Sequence, residues 1–491
     1  MIILAQTETK NKAMSFFHIT FGLFMMFVFG YVFPPLYPIT EVGMQIVGVF
    51  LGVIWLWCFV GFLWPSLLAL VAFGLTDHVT SFGQVLTGSF GTGVAVQLLF
   101  VMILFGSSQH VGMTNYITRW FLTRRVFNNR PIVFAFIFTL ATYILSLAVN
   151  VTPALILMWS VLYTVLKELG YKRGDKFTSF MLVATFIGAI SGQASLPFRG
   201  STLALLGSFE ATSGVAMPPV PYMALSIIYS LIMFLAYCLV MKLVCKPADL
   251  EKVARINIDM FSKEPLPPMN AVQKANSYVM IATIFLMLLP SLNIPPGFFF
   301  TDMVRRLDAT GIAIFLTGVS VLIRVKGEPI LDFPAVAGKM IQWDVYVMVA
   351  TAMVVSAALT SEGTGVVSWM LQTFEPILGG HSPTSFFVIM LLFGIVTTSF
   401  ASALVLGMSL MPIIVAFGEQ TGANVEAVTT VFILLVHYSI ILPSASVFAA
   451  MLWSNKEWIS GKDVFNYGAL VVVLATVIAI VFIMPFSLIM F

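Results

Sequence analysis

The feature that most constrains this chain is a succession of apolar runs, each about as long as the ~20 residues that cross a bilayer as a helix. They fall near 16–36, 43–58, 59–75, 92–109, 131–166, 177–208, 221–243, 276–295, 310–324, 343–361 and 382–418, with further apolar sequence to the end. Of 491 residues, 59% are hydrophobic and 9% charged, against about 25% charged in a soluble domain. Hydrocarbon leaves no water for backbone N–H and C=O groups, so such runs must be helices that satisfy them internally. The chain therefore reads as an all-α polytopic membrane protein, and soluble enzymes, nucleic-acid binders and secreted disulfide scaffolds are excluded. A net charge of +3 is too small to attract a polyanion. Cys58, Cys238 and Cys245 are an odd number without metal-like spacing and read as packing residues. After Lys10 and Lys12, the run from Phe16 lacks a small-residue cleavage site, so a first membrane helix is expected rather than a signal peptide.

Charge placement orders the runs. The stretch with Arg119, Arg124, Arg125 and Arg130 and the stretch with Lys167, Lys172, Arg173 and Lys176 should both face the cytoplasm. The charge-free run between them enters and leaves on one side. It is either two spans joined by a tight turn or a re-entrant hairpin whose tip ends inside the protein. The uncharged apex Val149-Asn150-Val151-Thr152-Pro153, with proline placed to start the returning helix, favours the hairpin. No Lys or Arg occurs between Lys339 and Lys456. Within that window the charge-free run 382–418 lies between Glu375 and His381 on one side and Glu419 and Glu426 on the other, which predicts a second hairpin entering from outside.

Two opposed hairpins imply an inverted-topology repeat. Residues 1–42 form an N-terminal segment and first helix. Repeat 1 covers 43–245, with its hairpin at 131–166 and a broken helix at 177–208. A basic, proline-containing stretch at 246–275 is the expected cytoplasmic linker. Repeat 2 covers 276–491, with its hairpin at 382–418 and a broken helix at 427–454. Phe82, Val85 and Gly112 recur as Phe333, Val336 and Gly363 at one offset of 251. Amphipathic segments at 110–128 and 362–381 should lie along the two membrane surfaces. The expected placement is the plasma (inner) membrane, multi-pass, with the N-terminus cytoplasmic and the C-terminus outside.

After each hairpin a Leu-Pro pair sits mid-run, in Leu196-Pro197-Phe198-Arg199-Gly200-Ser201 and in Leu442-Pro443-Ser444-Ala445-Ser446-Val447. Proline removes a helical bond, and unwound chain survives in a membrane only where it lines a protein cavity. Half-helices starting at Pro153, at Ser402 and after Gly200 would aim positive ends at an anion. Arg199 is the sole formal charge between Phe177 and Phe209. It has a role in the site, or it pairs with Asp344 or Glu362, or it snorkels to an interface. His437 is read as a hydrogen-bonded core residue, with proton carriage as the alternative. The expected substrate residues are Asn150, Thr152, Arg199, Gly200, Ser201, Thr202, Ser402, Ser444 and Ser446. No catalytic site is expected: protease-type motifs are lacking, and Gly88 to Gly93 has no following Lys-Ser/Thr of a phosphate loop. A channel would show polar rings along a pore, and none is visible.

At these residues the chain resembles the divalent anion:sodium symporter family, of the ion transporter superfamily. The family's Ser-Asn-Thr hairpin motif reads here as Val149-Asn150-Val151 and Ser402-Ala403-Leu404, with Pro412 at a familiar spacing. Its Thr-Pro-x-Gly-Thr stretch reads Leu196-Pro197-Phe198-Arg199-Gly200. The resemblance implies about eleven transmembrane helices plus two opposed re-entrant hairpins, an elevator-type mechanism and a homodimer. It implies carriage of di- or tricarboxylates with cations or by exchange; a sulfate or sulfonate carrier of this fold, and a non-transporting scaffold or channel, are the alternatives. The implied partners are a small anionic substrate and the lipid bilayer, with no nucleic acid. The implied cofactors are none beyond a sodium ion at Asn150. Its cation ligands map onto Ser146, Asn150, Ser399 and Ser402. Because guanidinium does not deprotonate in proteins, Arg199 is expected to act as a fixed cation, with fewer coupled sodium ions as the consequence.

Overall fold

The computed structural model describes residues 14–113, 116, 130–245, 250–252, 268–291, 297, 299–378 and 380–491. Lys10, Lys12, Arg119, Arg124 and Arg125, most of the 110–128 segment and most of the 246–275 linker lie outside the described residues.

Among the described residues the chain is helical apart from loops and one β ribbon. The first helices are α1 (Met14–Val32), α2 (Glu41–Phe59), α3 (Leu63–Gly74), a short α4 (Phe82–Gly88) and α5 (Gly93–His110). Hairpin 1 is α6 (Pro131–Ala148) and α7 (Val151–Glu168). The first broken helix follows as α8 (Lys176–Ala194) and α9 (Gly200–Ser213), and then α10 (Pro219–Val244). The second half has α11 (Ala271–Leu288) and α12 (Phe299–Leu322), which bends at Asp308. A ribbon of β1 (Arg324–Val325) and β2 (Glu328–Pro329) leads to α13 (Phe333–Met340), α14 (Trp343–Leu359) and α15 (Val366–Leu378). Hairpin 2 is α16 (Pro383–Phe400) and α17 (Ala403–Thr421). The second broken helix is α18 (Val425–Val436) and α19 (Val447–Ser454), and α20 (Gly461–Met490) closes the chain.

Eleven of these helices are long and apolar enough to cross a membrane, four of them hairpin arms. The eleven spans expected besides the hairpins are reached when α3, α12, α14 and the second broken helix are counted with the seven others. The repeat is visible in helix boundaries: α4 and α13 start 251 residues apart, and both arms of the two hairpins start 252 apart. The hairpin first arms are equally long, and each has proline at its first turn, where the missing N–H costs nothing.

At the centre stands α8. Every residue from Phe177 to Ala194 is buried, as expected of a helix that is apolar all round. Its Gly188-x-x-x-Gly192 face lets α6 approach closely: a Cβ on Gly188 would sit 2.4 Å from the Thr139 carbonyl oxygen, and one on Gly192 2.5 Å from that of Tyr143. Small residues four apart are the usual device for close helix approach in membranes, where apolar burial alone gives no drive. The same contact fixes the hairpin 1 tip against the break that follows α8.

Pro197 stops α8 and Pro443 lies within the second break, but the breaks differ in length. The first runs over 195–199 and the second over 437–446, with a single 3₁₀ turn at Pro443–Ala445. A second apolar core gathers α5, α11, α12 and α13, and receives Leu196 and Phe198 of the first break.

Candidate functional site

The last turn of α6 leaves carbonyls without helical partners. Arg199, 6% exposed, fills that end. Its Nη1 donates to the carbonyl oxygens of Leu147 (3.1 Å) and Val149 (3.3 Å), and its Nη2 donates to that of Ser146. The guanidinium carbon lies 4.8 Å from the centre of the Phe105 ring on α5, a cation–π contact contributing about 0.5–2 kcal/mol. The ion pairs among the described residues are Lys252–Asp175 and Arg305–Asp302. Arg199 thus pairs with neither Asp344 nor Glu362, and it does not snorkel outward. Backbone dipoles hold it instead.

Immediately after Arg199, Gly200 adopts a left-handed backbone (φ +59°) and α9 begins. No side chain caps this helix, and the first N–H to find a helical partner is that of Leu203, 3.2 Å from the Arg199 oxygen. The other three helix starts at the site are self-capped. The Asn150 Oδ1 accepts from Val151 N (2.7 Å), Ser402 Oγ from Val405 N (3.4 Å) and Ser446 Oγ from Ala449 N (3.0 Å). The cap equivalence pairs Asn150 with Ser402, so the second motif stands one residue earlier than the sequence comparison of Asn150 with Ala403 implied.

The second break touches the first turn of α9 through His437. Its Nδ1 donates to the Ile433 carbonyl (2.7 Å), since a carbonyl only accepts. Its Nε2 lies 3.1 Å from Ser201 Oγ and 3.3 Å from Thr202 Oγ1. Gln193 Nε2 donates to Ser201 Oγ, which leaves the serine proton for the imidazole. Gln193 Oε1 is buried without a partner among the described residues.

A cavity of about 290 Å³ opens among these groups, close to the lower bound for small-molecule sites. Of the residues expected from sequence, Asn150, Thr152, Arg199, Gly200, Ser201, Ser402 and Ser446 line it. Thr202 is buried behind the wall, donating to the Gln193 carbonyl (3.1 Å). Ser444 lies outside the cavity lining and donates to the Phe400 carbonyl (2.9 Å), tying the second break to the second tip. Ser146 and Ser399 spend their hydroxyl protons on Ala189 O and Ile395 O, both at 2.6 Å, and neither lines the cavity. Gln109, Gln193, Gln342 and Ser439 also line it without having been expected there, and so does Asp344, expected only as a pairing alternative for Arg199. The available signal was polarity within apolar runs, strongest for Gln193 seven residues before Gly200.

Two hairpin tips and two broken helices converging on one membrane-embedded cavity define a transporter fold of the inverted-repeat class. Residues 130–491 match the sodium:sulfate symporter transmembrane region, and the chain belongs to the sodium:sulfate symporter family, the divalent anion:sodium symporters. Its fold is similar to the crystal structure of the YdaH transporter of Alcanivorax borkumensis, described as having an unusual topology. That likeness has a TM-score of 0.59 at 12% identity, and covers 90% of this chain and 98% of that one. No curated protein matches the chain in sequence.

Proposed function

We propose that this protein is a secondary active transporter of small organic anions working by alternating access, with di- or tricarboxylates the reference class that the family resemblance brings forward and sulfate or sulfonate the second. The observation that carries this is the convergence of Arg199, the uncapped α9 start and both hairpin tips on one cavity. An anion there meets a fixed positive charge, free N–H groups and the positive end of a helix dipole.

The coupling reading follows from where the guanidinium sits. A cation at the first tip needs the carbonyls of Ser146, Leu147 and Val149, and Arg199 already donates to all three. Arg199 thereby does the electrostatic work of a bound sodium ion without being transported, and the first tip needs none. Exchange of anions or proton coupling then takes the place of sodium at Ser146 and Asn150. Any sodium site that remains is at the second tip, beside Ser399 and Ser402. His437, joined to Ser201, is the group positioned to carry a proton.

Counterflow in proteoliposomes tests the class. Labelled substrate should accumulate transiently against its gradient when unlabelled substrate is preloaded, and the pair Asn150→Ala and Ser402→Ala should reduce that overshoot. Dissipation without overshoot marks a channel, and no flux for any anion in a broad panel marks a non-transporting protein.

A further inference from the structure

We propose that the cavity selects a single carboxylate on an apolar body, an aryl or branched-alkyl monocarboxylate, over the di- and tricarboxylates of the reference class. This rests on the transport reading above and narrows it.

Charge sets the first limit. Among the described residues, Arg199 is the one lysine or arginine lining the cavity, and Asp344 is the one carboxylate. His437 Nε2 is placed to accept from Ser201, the role of a neutral imidazole. One fixed positive charge balances one carboxylate. A second would meet no fixed cation among the lining residues and would share the cavity with Asp344.

Donor geometry sets the second. A guanidinium has five N–H donors, and three are given to Ser146, Leu147 and Val149. Two remain without a partner among the described residues, which is the number one carboxylate takes in a bidentate pair. The uncapped N-terminus of α9 begins at the next residue. The second repeat offers no equal: Ser402 and Ser446 cap their own helices, and the second tip's Phe400 carbonyl takes the Ser444 hydroxyl. Anion recognition is therefore concentrated in the first repeat, where symmetry alone would have given two matched heads.

The remaining wall shows what fills the rest of the space. Phe62 before α3, Val101 and Met102 on α5, Met340 on α13, Val345 on α14 and Phe448 on α19 contribute apolar surface. Those side chains return nothing to a desolvated carboxylate but accept a ring or branched chain, and the hydrophobic effect rewards the apolar body in proportion to the area it buries.

The test compares acids of matched size by ligand-dependent thermal stabilisation of the purified full-length protein in detergent at neutral pH. Benzoate is paired with terephthalate, and 4-methylpentanoate with 3-methylglutarate. Each monoacid should half-saturate at a concentration at least 10-fold below its diacid. That preference should vanish in Arg199→Gln and be kept in Arg199→Lys. Asp344→Asn, which removes the cavity's own carboxylate, should improve diacid binding several-fold more than monoacid binding. Diacids binding as well as or better than monoacids, or a preference that survives Arg199→Gln, overturns the monocarboxylate assignment while leaving the transport reading standing. Failure of both series, together with absent counterflow for every anion, overturns both.

Discussion

A guanidinium held by backbone carbonyls differs from one held by a carboxylate, because its charge stays uncompensated and available to a ligand. That is the situation of Arg199, buried at the hairpin 1 tip with Phe105 beside it. Arg199→Lys keeps the charge but not the planar fork that reaches three oxygens, so transport should fall by an order of magnitude or more, with residual activity. Arg199→Ser should abolish sodium-independent uptake while freeing the tip carbonyls. Initial rates in choline and in sodium media separate these outcomes, and full sodium-independent activity in Arg199→Ser would refute the fixed-cation role. That this residue needs a partner or a task was legible in the sequence, since a lone charge in an apolar run is costly. Its partners were not, because carbonyl oxygens belong to every residue and leave no mark in the sequence. His437 was only half legible. The residue itself stood out, but its contact with Ser201 across 236 positions depends on the packing of the second break against α9.

Among the elements, hairpin boundaries repeat at 252 residues in both arms, and the run lengths and charge flanks foretold both hairpins. The breaks were less legible. Both breaks carry a Leu-Pro pair, yet the second holds ten residues, 437–446, against five in the first, 195–199. Proline marks where a helix cannot continue, not where it resumes. Thr202 and Ser444 fell outside the cavity lining for that reason: which side of a half-helix faces the cavity depends on where its first turn begins. The close approach of α6 and α8 through Gly188 and Gly192 gives a sharp test. Gly192→Ala places a methyl against the Tyr143 carbonyl and Ser146 Cβ, and overpacking of this kind costs about 1–3 kcal/mol. A lowered thermal midpoint and weakened transport should appear together, because the same contact sets the tip; an unchanged midpoint would show that the helices can part without cost. Asn150→Ala removes the α7 cap, a loss of about 1 kcal/mol, and should reduce transport far more than stability, since the amide lines the cavity.

For the whole molecule, the wall of the cavity is shared between the hairpins with their broken helices and the helices α5 and α14. We propose that the hairpins and broken helices move as one body against the remaining helices, in the elevator manner, with a homodimer interface on the stationary part. Leu196 and Phe198 enter the second apolar core rather than a polar lock, so the sliding surface lacks fixed hydrogen bonds at that point. Cys58 is carried by α2, which packs against α17, the returning arm of hairpin 2. A disulfide between Cys58 and Ala401→Cys, with Cys238 and Cys245 replaced by serine, should arrest transport until reduced. Undiminished transport in the oxidised protein would exclude relative motion there. Side-specific labelling should place Lys172 on the cytoplasmic side and Glu419 outside, as the distribution of Lys and Arg requires. The most direct measurement of the central claim is sodium-free counterflow in proteoliposomes. Overshoot of labelled anion in choline medium, lost in Arg199→Ser, is the expected result; overshoot that appears only with sodium, and is untouched by that substitution, would contradict the assignment of Arg199 as the cation of the site.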